Sequence, residues 1–223
     1  MVPKLFLILT LALLTRQPLS AQGRYYAGAV AGIATLSADA KTVIEPAASS
    51  ISLYRPFNGA AVNAFAGAHL TDIVSVQGNY VWNSNNLTLF STRFSGGRES
   101  LIEEERSSRQ DAVIGDVLVY FRDRRQWARP YLSAGAGVAR LQTEPGTVTA
   151  ARGISPAALP KFSTSAVAMR VAVGIDVALG SGLSFRFTFS ETVRSNPISG
   201  RLSPPGERNL ANFQNLFGIL KRF

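Results

Sequence analysis

Five charged residues stand in segments that otherwise alternate apolar side chains with small or polar ones: Asp116, Arg170, Asp176, Arg186 and Arg222. Buried charges are tolerated only when they are paired. The set therefore reads as an internal salt-bridge network, with the lining of a gated, narrow conduction path as the functional alternative. One histidine, His69, stands beside the reversal Thr71-Asp72. Hydrolysis of a lipid or peptide would need a nucleophile, this histidine and an orienting group to converge, and a strand end reads instead as a place for an interfacial polar side chain. With no cysteine and one histidine there is no visible metal-ligand cluster. The run Glu103-Glu104-Glu105 could hold a divalent cation but reads as a solvated loop face. GAGAHL and SAGAGV lie in strand patterns and open no helix, so they are not phosphate loops. No catalytic residue, cofactor or metal is assigned, and the chain reads as non-enzymatic.

The elements that must position these charges are β-strands. In Val167–Ser190, the odd positions Val167, Met169, Val171, Val173, Ile175 and Val177, then Leu183, Phe185, Phe187 and Phe189, are apolar, while the even ones are small or polar. Alternation with period 2 makes one oily and one polar face. Each arm is long enough to cross a bilayer when tilted, for which roughly 9–11 residues suffice. Both oily rows must share a face, so paired residues must have an even sum. A three-residue Gly180–Ser181–Gly182 connection satisfies this, pairing Leu179 with Leu183 and Asp176 with Arg186. A two-residue turn would flip one arm inside out.

Residues 1–21 have the layout of a secretory signal peptide: Lys4, the apolar run Leu5–Leu14, then Pro18-Leu19-Ser20-Ala21. The run is too short to span a membrane as a helix, which takes about 20 residues, and the expected cut follows Ala21. Residues 22–223 then form one domain. Nothing in them resembles a transmembrane helix, although 46% of the chain is hydrophobic. If they reside in a membrane, it is as a closed barrel, since only helices and closed barrels satisfy every backbone group in lipid. The whole-chain net charge of +9 falls by two without Lys4 and Arg16. In an exported chain this basic balance points to anionic lipid or lipopolysaccharide rather than nucleic acid.

Eight long strands are expected, near 24–36, 58–70, 73–83, 111–121, 130–141, the two arms of the hairpin, and 209–223. The segments 37–56, 84–110, 142–163 and 192–208 are expected as loops. Long and short connections alternate, and both chain ends lie on the short-turn side, as a transmembrane barrel with long outer loops requires. A soluble barrel would turn its oily rows inward. Three features favour oily rows facing out: Asp116 and Arg170 stand mid-strand on polar rows, no charge stands within the membrane-length cores of the oily rows, and the polar rows are rich in Gly, Ala and Ser. Aromatics near strand ends, Tyr80, Trp82, Phe121, Trp127 and Phe223, are expected at the membrane interfaces. The facing of the first strand is unreadable.

On the strand PYLSAGAGVARL (Pro130–Leu141) and the terminal strand FQNLFGILKRF ending on Phe223, the chain resembles the OmpA/OmpX-like eight-stranded outer-membrane barrels. The resemblance implies an all-β, antiparallel up-and-down transmembrane barrel in the cell outer membrane, preceded by a cleavable signal peptide. It implies a C-terminal assembly signal in Phe217, Gly218, Ile219 and Phe223, handed to the barrel-assembly machinery. Lys221 departs from the pattern, standing where an aromatic is common, as does Leu216, where a polar residue is. The implied partners are outer-membrane lipids and lipopolysaccharide, with a surface ligand through four outer loops. The implied role is structural or surface-interactive. The alternatives are a narrow channel, a lipid-modifying outer-membrane enzyme, and a secreted soluble ligand-binding barrel.

Overall fold

The structure is a computed structural model that describes residues 23–37, 41–45, 48–55, 57–151, 161–197 and 209–223. The expected signal peptide, residues 1–21, lies outside the described residues. Eleven strands follow in order: β1 (Tyr25–Ser37), β2 (Lys41–Glu45), β3 (Ala48–Arg55), β4 (Phe57–His69), β5 (Val74–Ser95), β6 (Arg98–Tyr120), β7 (Ala128–Thr143), β8 (Thr147–Ala151), β9 (Phe162–Gly180), β10 (Leu183–Ser195) and β11 (Asn209–Arg222). Eight of them, β1, β4, β5, β6, β7, β9, β10 and β11, pair antiparallel in a ring that the β5–β6 pairing closes.

Following one rung around the ring gives the barrel's stagger. Val193 pairs Met169, which pairs Ala136, then Gly115, Gly78, Ala66, Ala27 and Lys221. Lys221 pairs Leu183, on the strand where the circuit began but ten residues nearer its start. For eight strands about 4.8 Å apart with a rise of about 3.3 Å per residue, that shear tilts them by about 40°.

The oily rows face outward. Val117, Val173 and Phe187 are 49%, 47% and 41% exposed, while Asp176 and Arg186 are 2% and 1% exposed. The first strand puts Tyr26, Val30 and Ala34 inside, where they meet Phe65, Leu216 and Leu220. The lumen is thus polar along one wall and apolar along the other, and a wall of small and apolar residues on both faces has no alternation to read.

Three expected loops contain strands. The segment 37–56 holds β2 and β3, 142–163 holds β8, and 84–110 is the continuation of β5 and β6 up to a reversal at Gly96-Gly97, both with positive φ. Above the barrel β3 pairs the upper part of β5 and β8 pairs the upper part of β6, which makes a raised sheet with β2 and β8 as its edges. The β9–β10 connection also differs from expectation. Gly180, not Leu179, pairs Leu183, and Ala178 then pairs Ser184 across a register shift that leaves Leu179 unopposed. Gly180, Ser181 and Gly182 all have positive φ, so the tight turn is made and the bulge absorbs the odd residue. Asp176 still meets Arg186.

Candidate functional site: the sealed lumen and the raised sheet

Two ion pairs occupy the lumen. Arg186 on β10 donates from Nε to Asp176 Oδ1 (2.6 Å) and from a terminal nitrogen to Oδ2 (2.8 Å), a two-pronged pairing with the facing residue of β9. Its other terminal nitrogen donates to Gln77 Oε1 (2.7 Å). Tyr120 Oη donates to Asp176 Oδ2 and accepts from Arg186, each at 3.0 Å. The guanidinium lies 4.6 Å from the ring centre of Phe65 and 5.0 Å from that of Tyr131. Arg170 on β9 pairs with Asp116 on β6, whose Oδ2 also accepts from Asn79 (3.1 Å). Asn79 Oδ1 in turn accepts from Gln77 (2.7 Å) and Asn63 (3.1 Å). The two pairs thus form one chain, Asp176–Arg186–Gln77–Asn79–Asp116–Arg170, tying β9, β10, β5 and β6 together. Around Arg186 the low local dielectric strengthens the pairing because all three guanidinium nitrogens find acceptors, while Asp116 Oδ1 and Arg170 Nε in the second pair are buried without a partner.

Arg222 is not brought to either acid. It sits at the periplasmic mouth and donates to Ser184 Oγ (2.7 Å) and to the Arg124 carbonyl (3.4 Å). Arg129, just after the basic run Arg122–Arg125 and at the start of β7, enters the lumen. It stacks over Tyr120 at 3.8 Å and donates to the Asp72 carbonyl (3.0 Å). His69 is buried as well, not interfacial. Its Nδ1 is 2.5 Å from Ser75 Oγ, and its ring lies 5.0 Å from Tyr26 and 5.8 Å from Tyr120. A serine and a histidine therefore do meet, but Ser75 is 0% exposed and the pair lies under a layer of aromatic rings. Tyr26, His69, Tyr120, Tyr131 and Arg129 close the periplasmic end.

Tyr131 and Tyr26 were legible in principle. Each faces a glycine across the ladder, Gly174 and Gly67, at which a Cβ would run into the tyrosine ring. A tyrosine on a polar row opposite a glycine marks a ring folded over a bare backbone.

On the outside, Tyr80 donates to Asp111 Oδ1 (2.7 Å), and Arg109 stacks on Trp82 at 5.8 Å on the loop side. Phe121 and Trp127 project at the turn side, 62% and 67% exposed. Phe223 bonds through its backbone to Tyr25 and Gly23. Phe217 and Ile219 face outward, Gly218 faces the backbone of Ala29, and Leu216 is buried in the lumen. Lys221 faces outward at the rim and donates to the Ser181 carbonyl. One oily row does carry a charge. Glu191 pairs Val171 on one side and Phe213 on the other, with Phe189 and Val193 before and after it on the same face.

The raised sheet is different. Ile44, Ile51 and Phe94 are 82%, 48% and 47% exposed. Glu99 and Glu105 are exposed and Glu103 half-buried. Phe94 pairs Glu99 and Phe90 pairs Glu103, so apolar and acidic side chains alternate on one face. Among the described residues no group of three acids or histidines could hold a metal ion.

An antiparallel, eight-stranded closed barrel with its oily rows outward is an outer-membrane barrel. Residues 5–211 match the family described as "Outer membrane protein beta-barrel domain", and the chain belongs to that family and resides in the outer membrane. Comparison with curated proteins gives no match. Among solved structures, the chain is similar to neisserial surface protein A (NspA), at 13% identity and a TM-score of 0.53, covering 89% of this chain and 97% of that one. It is similar to the outer membrane protease OmpT from Escherichia coli, at 9% identity and a TM-score of 0.53, covering 90% and 97%. At these identities the likeness is one of fold.

Proposed function

We propose that this barrel is a non-enzymatic surface-interaction protein: a plugged pedestal in the outer membrane that carries its binding surface on the raised sheet and outer loops. The observation that supports this most directly is the contrast along β5 and β6. Below, their inward residues belong to a filled, hydrogen-bonded lumen. Above, the outward rows of the same strands continue past the barrel as exposed Phe94, with Ile51 diagonal to it, and a row of acids. Loops and their extensions are where a rigid scaffold carries recognition. The lumenal charges act as structural pairs in this reading, Tyr80, Trp82, Phe121, Trp127 and Phe223 as interfacial anchors, and the Phe217–Phe223 strand as the assembly signal.

The test uses cells displaying the full chain and cells displaying a chain whose residues 87–106 are replaced by an Asn-Gly turn. Retention on surfaces coated with a basic protein (lysozyme) is expected to fall to that of cells lacking the protein when the sheet is removed. Unchanged retention overturns the reading. In planar bilayers the intact protein is expected to give no steady conductance steps, and steps abolished by adding charge at Thr188 would favour the channel instead.

A further inference from the structure

The periplasmic rim is basic, and its cations are held in different ways. Arg124 is paired with Asp72, Arg222 donates to Ser184, and Lys221 donates to the Ser181 carbonyl. Arg122 and Arg125, in the β6–β7 turn (residues 121–127), are both exposed. Among the described residues no hydrogen bond or ion pair reaches either guanidinium; only the Arg122 backbone carbonyl is used, by Arg129. With Arg124 assigned to Asp72, the turn has these two cations against one acid, Asp123.

Two exposed aromatics, Phe121 and Trp127, bracket the cations. Such residues sit at the depth of lipid headgroups. A hollow of about 490 Å³ lies at the turn, lined by Phe121, Arg122, Asp123 and Gln126. On the wall above it a second, apolar trough of about 540 Å³ crosses β10, β9, β7 and β6. Two rungs make its floor, Val119–Leu132–Val173 and Val117–Ala134–Val171. A rung followed from β10 to β6 descends toward the periplasmic side, since the full circuit ends ten residues nearer the turn at Gly180–Gly182. The trough therefore ends low at Val119, two residues before Phe121, and high at Glu191. Its lower end meets the arginines.

We infer that this side of the barrel binds one anionic phospholipid from the periplasmic leaflet, its phosphodiester against Arg122 and Arg125 and one acyl chain in the trough over Leu132 and Ala134. Charge fixes both the occupant and its direction. Basic residues at a membrane surface attract anionic headgroups, whereas a zwitterionic headgroup would bring an ammonium up to the same arginines. Seated the other way round, the lipid would set its phosphate on the Glu191 carboxylate. A second copy of this chain in the same membrane would offer these arginines Asp72, already held by Arg124, and Asp123 from the same turn.

The experiment is native mass spectrometry of the full-length protein from detergent doped with equal phosphatidylglycerol and phosphatidylethanolamine. Arg122→Gln with Arg125→Gln, Arg24→Gln with Lys221→Gln, and Ala134→Phe are run beside it, and heat-modifiable gel mobility confirms folding. Arg24 and Lys221 are exposed on β1 and β11, across the ring from β6 and β7, so their removal lowers the total charge equally and leaves the turn intact. The intact protein is expected to retain phosphatidylglycerol over phosphatidylethanolamine by about fivefold, the scale of one basic residue at an anionic lipid surface. The Arg122–Arg125 double variant is expected to lose the preference and the Arg24–Lys221 variant to keep it. Ala134→Phe is expected to lower retention of both lipids. Equal retention by the intact protein overturns the inference, as does an undiminished preference in the Arg122–Arg125 variant. A preference lost equally in the Arg24–Lys221 variant also overturns it, by assigning the effect to overall charge, and unchanged retention in Ala134→Phe overturns it by removing the acyl chain from the trough. Should Ala134→Phe not fold, the two charge variants decide.

Discussion

β5 and β6 pass through two environments, and the same alternation means different things in each. Between Val74 and Asn86 every inward residue of β5 has a lumen to fill, and Gln77, Asn79, Asn83 and Asn85 are all buried and hydrogen-bonded. Between Thr88 and Ser95 the strand stands above the ring, and the added partners are the short strands β3, beside β5, and β8, beside β6. The lower half is fixed by satisfied polar bonds inside and by lipid outside. The upper half is held by backbone pairing and leaves apolar groups to water. Stability is concentrated in the first and contact surface in the second, a division expected of scaffold and recognition elements.

Removing one member of the lower ion pair should give the largest effect. Asp176→Ala leaves Arg186 inside without its two-pronged acceptor, and an uncompensated buried charge costs about 3–5 kcal/mol. Heat-modifiable gel mobility should show the compact band lost at distinctly lower temperature. Replacing both partners, Asp176→Leu with Arg186→Met, should recover most of the loss, because the desolvation of both charges disappears with them. A double variant as weak as the single one would mean that Gln77 and Tyr120, not the charge, hold this region.

Asp116→Asn should cost less, about 1–3 kcal/mol. Its Oδ2 accepts from both Arg170 and Asn79, but its Oδ1 has no partner. An amide keeps the shape and one acceptor. A midpoint shift as large as that of Asp176→Ala would rank the two pairs the other way.

How far the sequence reveals this division follows from the same physics. The lower half was legible because lipid on one face and a tight lumen on the other force a strict period of 2, so parity gathered Val117, Val173 and Phe187 on oily rows and set Asp176 opposite Arg186, while mid-strand charges and aromatics near strand ends turned those rows outward. It failed where a neighbour broke the rule: a bulge at Leu179 that turn length alone does not reveal, and an acid at Glu191 that the apolar count before it concealed. The upper half was not legible because its sequence, with Thr88, Ser91, Glu103 and Glu105, looks as polar as a loop. A strand paired on both sides in water needs no oily row. Arg129 carries no signal of its own, since it follows the exposed Trp127 in a stretch of basic residues and only its place at the start of β7 turns it into the lumen.

Exchanging residues 87–106 for an Asn-Gly turn, which keeps the Asn86–Ser107 pairing, separates the halves directly. The barrel should keep its heat resistance to within about 1 kcal/mol, a few degrees in midpoint, while surface retention is lost. A large drop in heat resistance would show that the raised sheet clamps the barrel's outer rim and that the division is wrong.

The smallest effect belongs to the periplasmic turn, where Arg124 Nε donates to Asp72 Oδ1 at 2.8 Å. This hydrogen bond, with the positive charge of Arg124, holds the Asp72 carboxyl below its ordinary value of 3.8. A carboxylate depressed in the folded state adds stability above the unfolded value and loses it as pH falls through the folded one. The contribution is therefore constant at neutral pH and fades only below about pH 4. Because the pair is open to water, salt should weaken it. Asp72→Asn should leave the melting temperature nearly unchanged at neutral pH in high salt and lower it slightly in low salt. Its difference from the unaltered protein should vanish at the acid end of the titration. A difference that persists there would assign the effect to the turn's backbone geometry, where the neighbouring Thr71 hydroxyl already accepts from Ile73 and Val74, and not to the charge.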